Sequence, residues 1–195
     1  MTKHALILDA GCEFGGCGGS LNHALADLAG ETLKSLGWTV ETTRIEDGWD
    51  VSEEAGKVLR ADFILVQTPG WWYSTPWQFK KYEDEVFCHP SVMCPDGRVP
   101  NDPAAHYGTA GVHVNKRYML SSTWHAPREA FTAPDQFFAG AGIDAVFLPI
   151  HATFRYLGMK PLASFMANDV IVNPQVEEDF ERFVEHLKTE VAKIS

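Results

Sequence analysis

The chain has 195 residues, of which 45% are hydrophobic and 22% charged, the proportions of an ordinary soluble domain with enough apolar material for one filled core. A formal net charge of −10 argues against nucleic acid or an anionic membrane surface as the main partner. No apolar stretch reaches spanning length, and the run after Met1-Thr2-Lys3-His4 is too brief for a signal peptide, so the expected location is the cytoplasm.

Cysteine supplies little chemistry. Cys12, Cys17, Cys88 and Cys94 form two spaced pairs, neither with the two-residue spacing of zinc ligands, so free thiols and no metal are expected.

His4-Ala5-Leu6-Ile7-Leu8-Asp9 reads as a buried first strand. It runs into a glycine-rich stretch, Gly11 to Ser20, and then a helix with Leu21, Ala24, Leu25, Leu28, Leu33 and Leu36 near one face and Gly37 at its end. Glycines there let backbone approach a pyrophosphate, and the free amides of a helix start attract its charge. The stretch matches neither the dinucleotide fingerprint nor the P-loop pattern, so a plain flexible turn is the alternative.

Trp38 to Thr43 is a second strand, and Asp50 caps a short helix that runs to Leu59. Phe63 to Val66 is a third, buried strand bounded by Pro69-Gly70. Beyond it stand Trp71 and Trp72; adjacent residues share one core only if the backbone turns between them, so at least one indole should line a cavity or interface. Thr75-Pro76-Trp77-Gln78 reads as a helix start, with Thr75 as cap and Gln78 closing a capping box, and the helix continues to about Phe87.

From residue 88 to 116 periodicity disappears, leaving a long insertion of the kind that usually has a function. Tyr118 to Ser121 is a fourth strand that breaks at Thr123-Trp124-His125-Ala126-Pro127. The Phe, Ala and Gly residues between Phe131 and Gly142 suit either the core or a second subunit. Ala145 to Leu157 reads as one apolar helix in which Pro149 forms a kink or the true first turn. Leu162 to Met166 is a fifth strand, and Asn173-Pro174 opens a last helix with Val176, Phe180, Phe183, Leu187, Val191 and Ile194 on one stripe.

This alternation predicts a single domain over residues 1–195, an α/β doubly wound, five-stranded parallel sheet of order 2-1-3-4-5 with helices on both faces. Such a sheet binds ligands at the carboxyl ends of strands one and three. The glycine loop, the Pro69–Trp72 loop and the Thr123–Pro127 loop all fall there, and a phosphate cradle beside an aromatic wall points to a flavin nucleotide.

Pro69-Gly70-Trp71-Trp72 with Pro76-Trp77, Lys80-Lys81-Tyr82, Tyr118-Met119-Leu120-Ser121 with Thr123-Trp124, Ala130-Phe131 with Asp135-Gln136-Phe137-Phe138, and Ala167-Asn168-Asp169-Val170 resemble the modulator of drug activity B family over nearly the whole chain. These are flavin-dependent NAD(P)H:quinone oxidoreductases. The resemblance implies a flavodoxin-like homodimer that binds FAD non-covalently, takes hydride from NADPH or NADH and reduces quinones by two electrons, with a role in oxidative stress. By position, Cys17, Gly18, Gly19, Ser20, Leu21 and Asn22 would hold the FAD phosphates. Pro69, Gly70, Trp71, Trp72, Thr123, Trp124, His125, Ala126 and Pro127 would flank the ring, and Tyr107 would approach from the insertion. Two positions depart from the family's habit: Gly16 stands where a histidine is common, and His125 where an asparagine is common. Tyr107 and His125 are the candidate catalytic proton donors, and the backbone amides of Gly70, Trp71 and His125 are candidate donors to the reduced ring. The alternatives are an FMN-dependent azo or nitro compound reductase and a flavin-binding redox-sensing subunit of a membrane partner.

Overall fold

The computed structural model describes residues 2–194. Six parallel strands form one sheet: β1 (His4–Asp9), β2 (Thr39–Arg44), β3 (Phe63–Pro69), β4 (Arg117–Thr123), β5 (Lys160–Pro161) and β6 (Phe165–Ala167). The order is 2-1-3-4, after which β5 and β6 both pair with β4. The helices are α1 (Ser20–Ser35), α2 (Val51–Arg60), α3 (Trp77–Tyr82), α4 (Glu129–Thr132), α5 (Gly142–Val146), α6 (Leu148–Tyr156) and α7 (Val176–Val191).

Side-chain alternation divides the core. In β3, Phe63 and Leu65 pack with α1 and α7 on one face, whereas Ile64 and Val66 pack with α2, α3 and α6 on the other. Each layer is closed by aromatic and aliphatic side chains from its own helices: Phe183 and Leu187 on one side, Phe79 and Phe154 on the other.

Three local expectations need correction. The predicted fifth strand is two short ones, because the Ala163 amide turns away from β4 and donates to Glu190 of α7 at 3.0 Å. The predicted helix from Ala145 to Leu157 is broken at Phe147 into α5 and α6, with Pro149 in the first turn of α6, where its missing amide costs nothing. Thr75 does not cap α3: Pro76 occupies the cap position, no side chain bonds to the first turn, and Thr75 is buried instead. Asp50 does cap α2, accepting the Glu53 amide at 2.9 Å.

The insertion carries neither helix nor strand. It is pinned where Gly111 meets Gly158, so closely that a Cβ on Gly111 would lie 2.3 Å from the Gly158 nitrogen. The His113 amide donates to Leu157 O at 3.0 Å, and its ring Nε2 to Val92 O at 2.9 Å.

Candidate functional site

At the carboxyl end of the sheet the loops after β1, β3, β4 and β6 enclose a crevice of about 620 Å³. The first loop turns tightly at Gly15-Gly16, with φ of +58° and +81°, while Phe14 and Cys17 exchange two backbone hydrogen bonds at 2.9 and 3.0 Å. A two-residue reversal with both central residues left-handed favours glycine, and Gly16 supplies one of them. The amides of Gly18, Gly19, Ser20 and Leu21 have no protein acceptor among the described residues. They open the 16-residue helix α1, and a Cβ on Gly16 or Gly18 would meet nothing within 4 Å. The result is an unfilled donor cradle at a positive helix end, suited to phosphate.

The second loop repeats the reversal with bulky residues. Trp71 and Ser74 exchange hydrogen bonds at 2.8 and 2.9 Å around Trp72 (φ +44°) and Tyr73 (φ +65°). The two reversals touch: the Phe14 and Trp71 rings meet edge to face, their centroids 5.1 Å apart. Trp71 lines the crevice, and Trp72 stands 88% exposed outside it, so one indole is at a cavity as the sequence requires.

Cys17, Gly18, Gly19, Ser20, Leu21, Asn22, Pro69, Gly70, Trp71, Thr123 and His125 are all brought to this crevice. Their means of contact differ. The amides of Cys17 and Asn22 are bonded to Phe14 O and Gly19 O, and the buried Asn22 side chain joins Gln67 (2.9 Å) to Thr123 (3.1 Å), a brace between α1, β3 and β4. The expected donors to a reduced ring are also reduced in number. Gly70 N–H donates to Thr123 O and Trp71 N–H to Ser74 O, leaving the His125 amide as the unengaged one of the three among the described residues.

Trp124 is not at the crevice surface. It is buried beneath Gly70, its indole donating to Ser122 Oγ at 2.9 Å. Ala126 and Pro127, with Trp72, Tyr73 and the outer side of His125, line a neighbouring groove of about 500 Å³. Tyr107 lies elsewhere: 68% exposed, it packs on Tyr156 with ring centroids 5.6 Å apart and borders a cavity shared with Tyr118 and His151. The insertion doubles back onto α6, so Tyr107 does not approach the crevice of its own chain. Cys12, Gly16, Val170 and Ile171 complete the lining, and the sequence alone does not mark Cys12, Val170 or Ile171 as site residues. The Cys12 thiol is pushed up to about 11 by burial and by the carboxylates of Glu46 and Asp9, so it remains protonated at neutral pH.

A parallel doubly wound sheet with an anion cradle after its first strand and an aromatic wall after its third defines a flavodoxin-like α/β protein. The chain belongs to the flavodoxin-like fold family, whose model matches residues 3–191. Within that family it is 42% identical over 185 residues to the NADPH:quinone oxidoreductase MdaB of Haemophilus influenzae, covering 94% of this chain and 96% of that protein. Solved structures agree on the fold. A quinone reductase candidate from Klebsiella pneumoniae superposes with a TM-score of 0.77 at 21% identity, covering 97% of this chain and 85% of that one. The general stress protein 14 of Treponema denticola, solved in complex with FMN, gives a TM-score of 0.64 at 16% identity and covers 96% and 98%.

Proposed function

We propose that the chain is an NAD(P)H:quinone oxidoreductase that holds FAD non-covalently and reduces quinones by two electrons. The observation that carries this reading is the meeting of the Gly18–Leu21 amide cradle and the Trp71–His125 wall in one crevice. The same crevice borders Gly70, where the missing side chain keeps the floor over Trp124 flat.

The flavin, when bound, supplies hydride acceptance from NAD(P)H and hydride donation to the quinone. The protein's part is binding, orientation and proton supply. The amides of Gly18, Gly19, Ser20 and Leu21 hold phosphate oxygens, while Trp71 and Pro69 bound the ring. A single crevice serves donor and acceptor in turn, which gives ping-pong kinetics. His125, exposed at the mouth with its amide unengaged, is the proposed proton donor to the quinone oxygen. Tyr107, 68% exposed and away from the crevice of its own chain, is proposed to reach the crevice of a second copy in a homodimer.

Among the described residues no helix is long and apolar enough to cross a membrane. A second reading, an FMN-dependent azo or nitro compound reductase, is favoured by the FMN complex of the Treponema protein. Chromatography of the flavin released on denaturation, with NADPH oxidation followed with and without a simple quinone, separates the two. FAD near one per chain with quinone-dependent turnover supports the proposal, and FMN supports the alternative. Replacing His125 by Asn and Tyr107 by Phe is expected to lower quinone turnover in a pH-dependent way; unchanged profiles in both variants remove them as proton donors.

A further inference from the structure

Behind the glycine loop lies a charged cluster that does not line the crevice. Asp9, at the end of β1, is 1% exposed. Its Oδ2 lies 2.6 Å from His23 Nδ1 and 3.4 Å from Arg44 Nε, and its Oδ1 accepts the Gly11 amide at 3.0 Å. Glu46 reaches the other ring nitrogen, 3.1 Å from His23 Nε2, and accepts the Glu13 amide at 3.3 Å. One imidazole thus stands between two carboxylates, bonded to Asp9 and close to Glu46, and each carboxylate accepts one amide of the loop's first half.

The same ring packs against both ends of the loop. A Cβ on Gly11 would lie 2.8 Å from it, and one on Gly19 would lie 3.0 Å from it. The ring therefore touches both ends of the loop whose outward amides form the cradle, and its bond to Asp9 holds it there.

We propose that His23 is the positioning residue of the phosphate cradle: bonded to Asp9 and packed against Gly11 and Gly19, it fixes both ends of the loop so that the amides of Gly18 to Leu21 face outward. The proposal rests on the flavin reading above and names a residue for the phosphate end alone, not for the ring.

The test uses the full chain stripped of flavin. Affinities for FAD, FMN and riboflavin are measured by flavin fluorescence quenching in the wild type, His23→Ala and His23→Gln, with the thermal midpoint of each followed by circular dichroism. His23→Ala is expected to weaken FAD and FMN by about tenfold or more while changing riboflavin, which has no phosphate, by less than about twofold. His23→Gln, which can keep a donor to Asp9 but not the ring's packing on both glycines, falls between wild type and His23→Ala and carries the test if His23→Ala does not fold. Unchanged FAD affinity, or an equal loss for riboflavin, overturns the proposal and leaves His23 a general packing residue. A wild type that binds none of the three ligands overturns the flavin reading itself, and the proposal with it.

Discussion

Gly70 has no room for a side chain, since a Cβ there would sit 2.4 Å from the Trp124 ring. That ring cannot move aside: it is buried against Phe131 and Phe147 and bonded through its indole nitrogen to Ser122. Gly70→Ala is therefore expected to cost about 2–3 kcal/mol of stability and to lower flavin content, checked by denaturant unfolding and by absorbance of the purified protein. Asn22 is constrained from the opposite direction. Its replacement by Ala leaves buried Gln67 and Thr123 without their shared partner, an expected loss of about 1–3 kcal/mol in the same unfolding measurement. Both residues were legible as site positions, but their tasks were not. Burial of Trp124 and of the Asn22 amide depends on segments about 50 to 100 residues away, which no local pattern reports.

At the scale of elements, the Trp71–Ser74 reversal is the unusual one. Large side chains at left-handed φ are costly, and the glycine loop solves the same geometry with Gly15-Gly16. Replacing Trp72-Tyr73 by Asn-Gly should raise stability by about 1–2 kcal/mol in thermal unfolding, while removing the aromatic surface outside the crevice. The extension of α3 holds a second anomaly. After Tyr82 the helix widens into a π turn, Glu83–Phe87, in which Glu83 is buried and its Oε1 has no hydrogen-bond partner among the described residues. Burial pushes the Glu83 carboxyl up to about 7, against smaller opposing effects of Lys80 and Thr153. Because the folded state holds this proton more tightly than the unfolded chain does, stability falls as pH rises from the unfolded carboxylate value to about 7. Glu83→Gln is accordingly expected to stabilise the protein by about 2 kcal/mol at pH 8 and to have little effect near pH 4, measured by urea unfolding at both. The sequence placed a helix over these residues correctly; among the charged side chains from Lys80 to Glu85, which in a helix of this kind ordinarily face solvent, Glu83 is the buried one.

For the whole molecule, one group of exposed apolar residues borders the groove beside the crevice, where Trp72, Tyr73 and Val172 line it. Trp72 is 88% exposed, Phe137 71% and Val172 72%, and Tyr73 stacks on Phe137 with centroids 5.5 Å apart. Apolar surface at that density favours a partner, and the proposed partner is a second copy. Sedimentation is expected to show twice the chain mass, with Phe137→Glu shifting the protein toward the monomer and reducing quinone turnover together. A monomeric wild type with full turnover would show that Tyr107 has no part in the reaction.

The sequence by itself determined the sheet order up to the fourth strand and the three loops that meet in the crevice. Hydrophobic periodicity, caps and turn residues are local properties, and a doubly wound sheet brings the carboxyl ends of its central strands together whatever else varies. Only the tertiary structure decided which atoms of those loops are free. The joining of Asp9, His23 and Glu46 behind the cradle, the edge contact of Phe14 with Trp71 and the turning of Tyr107 onto Tyr156 arise where distant segments pack. Hydrogen-bond partners and steric fit between such segments are fixed by the folded geometry, and spacing along the chain does not encode them.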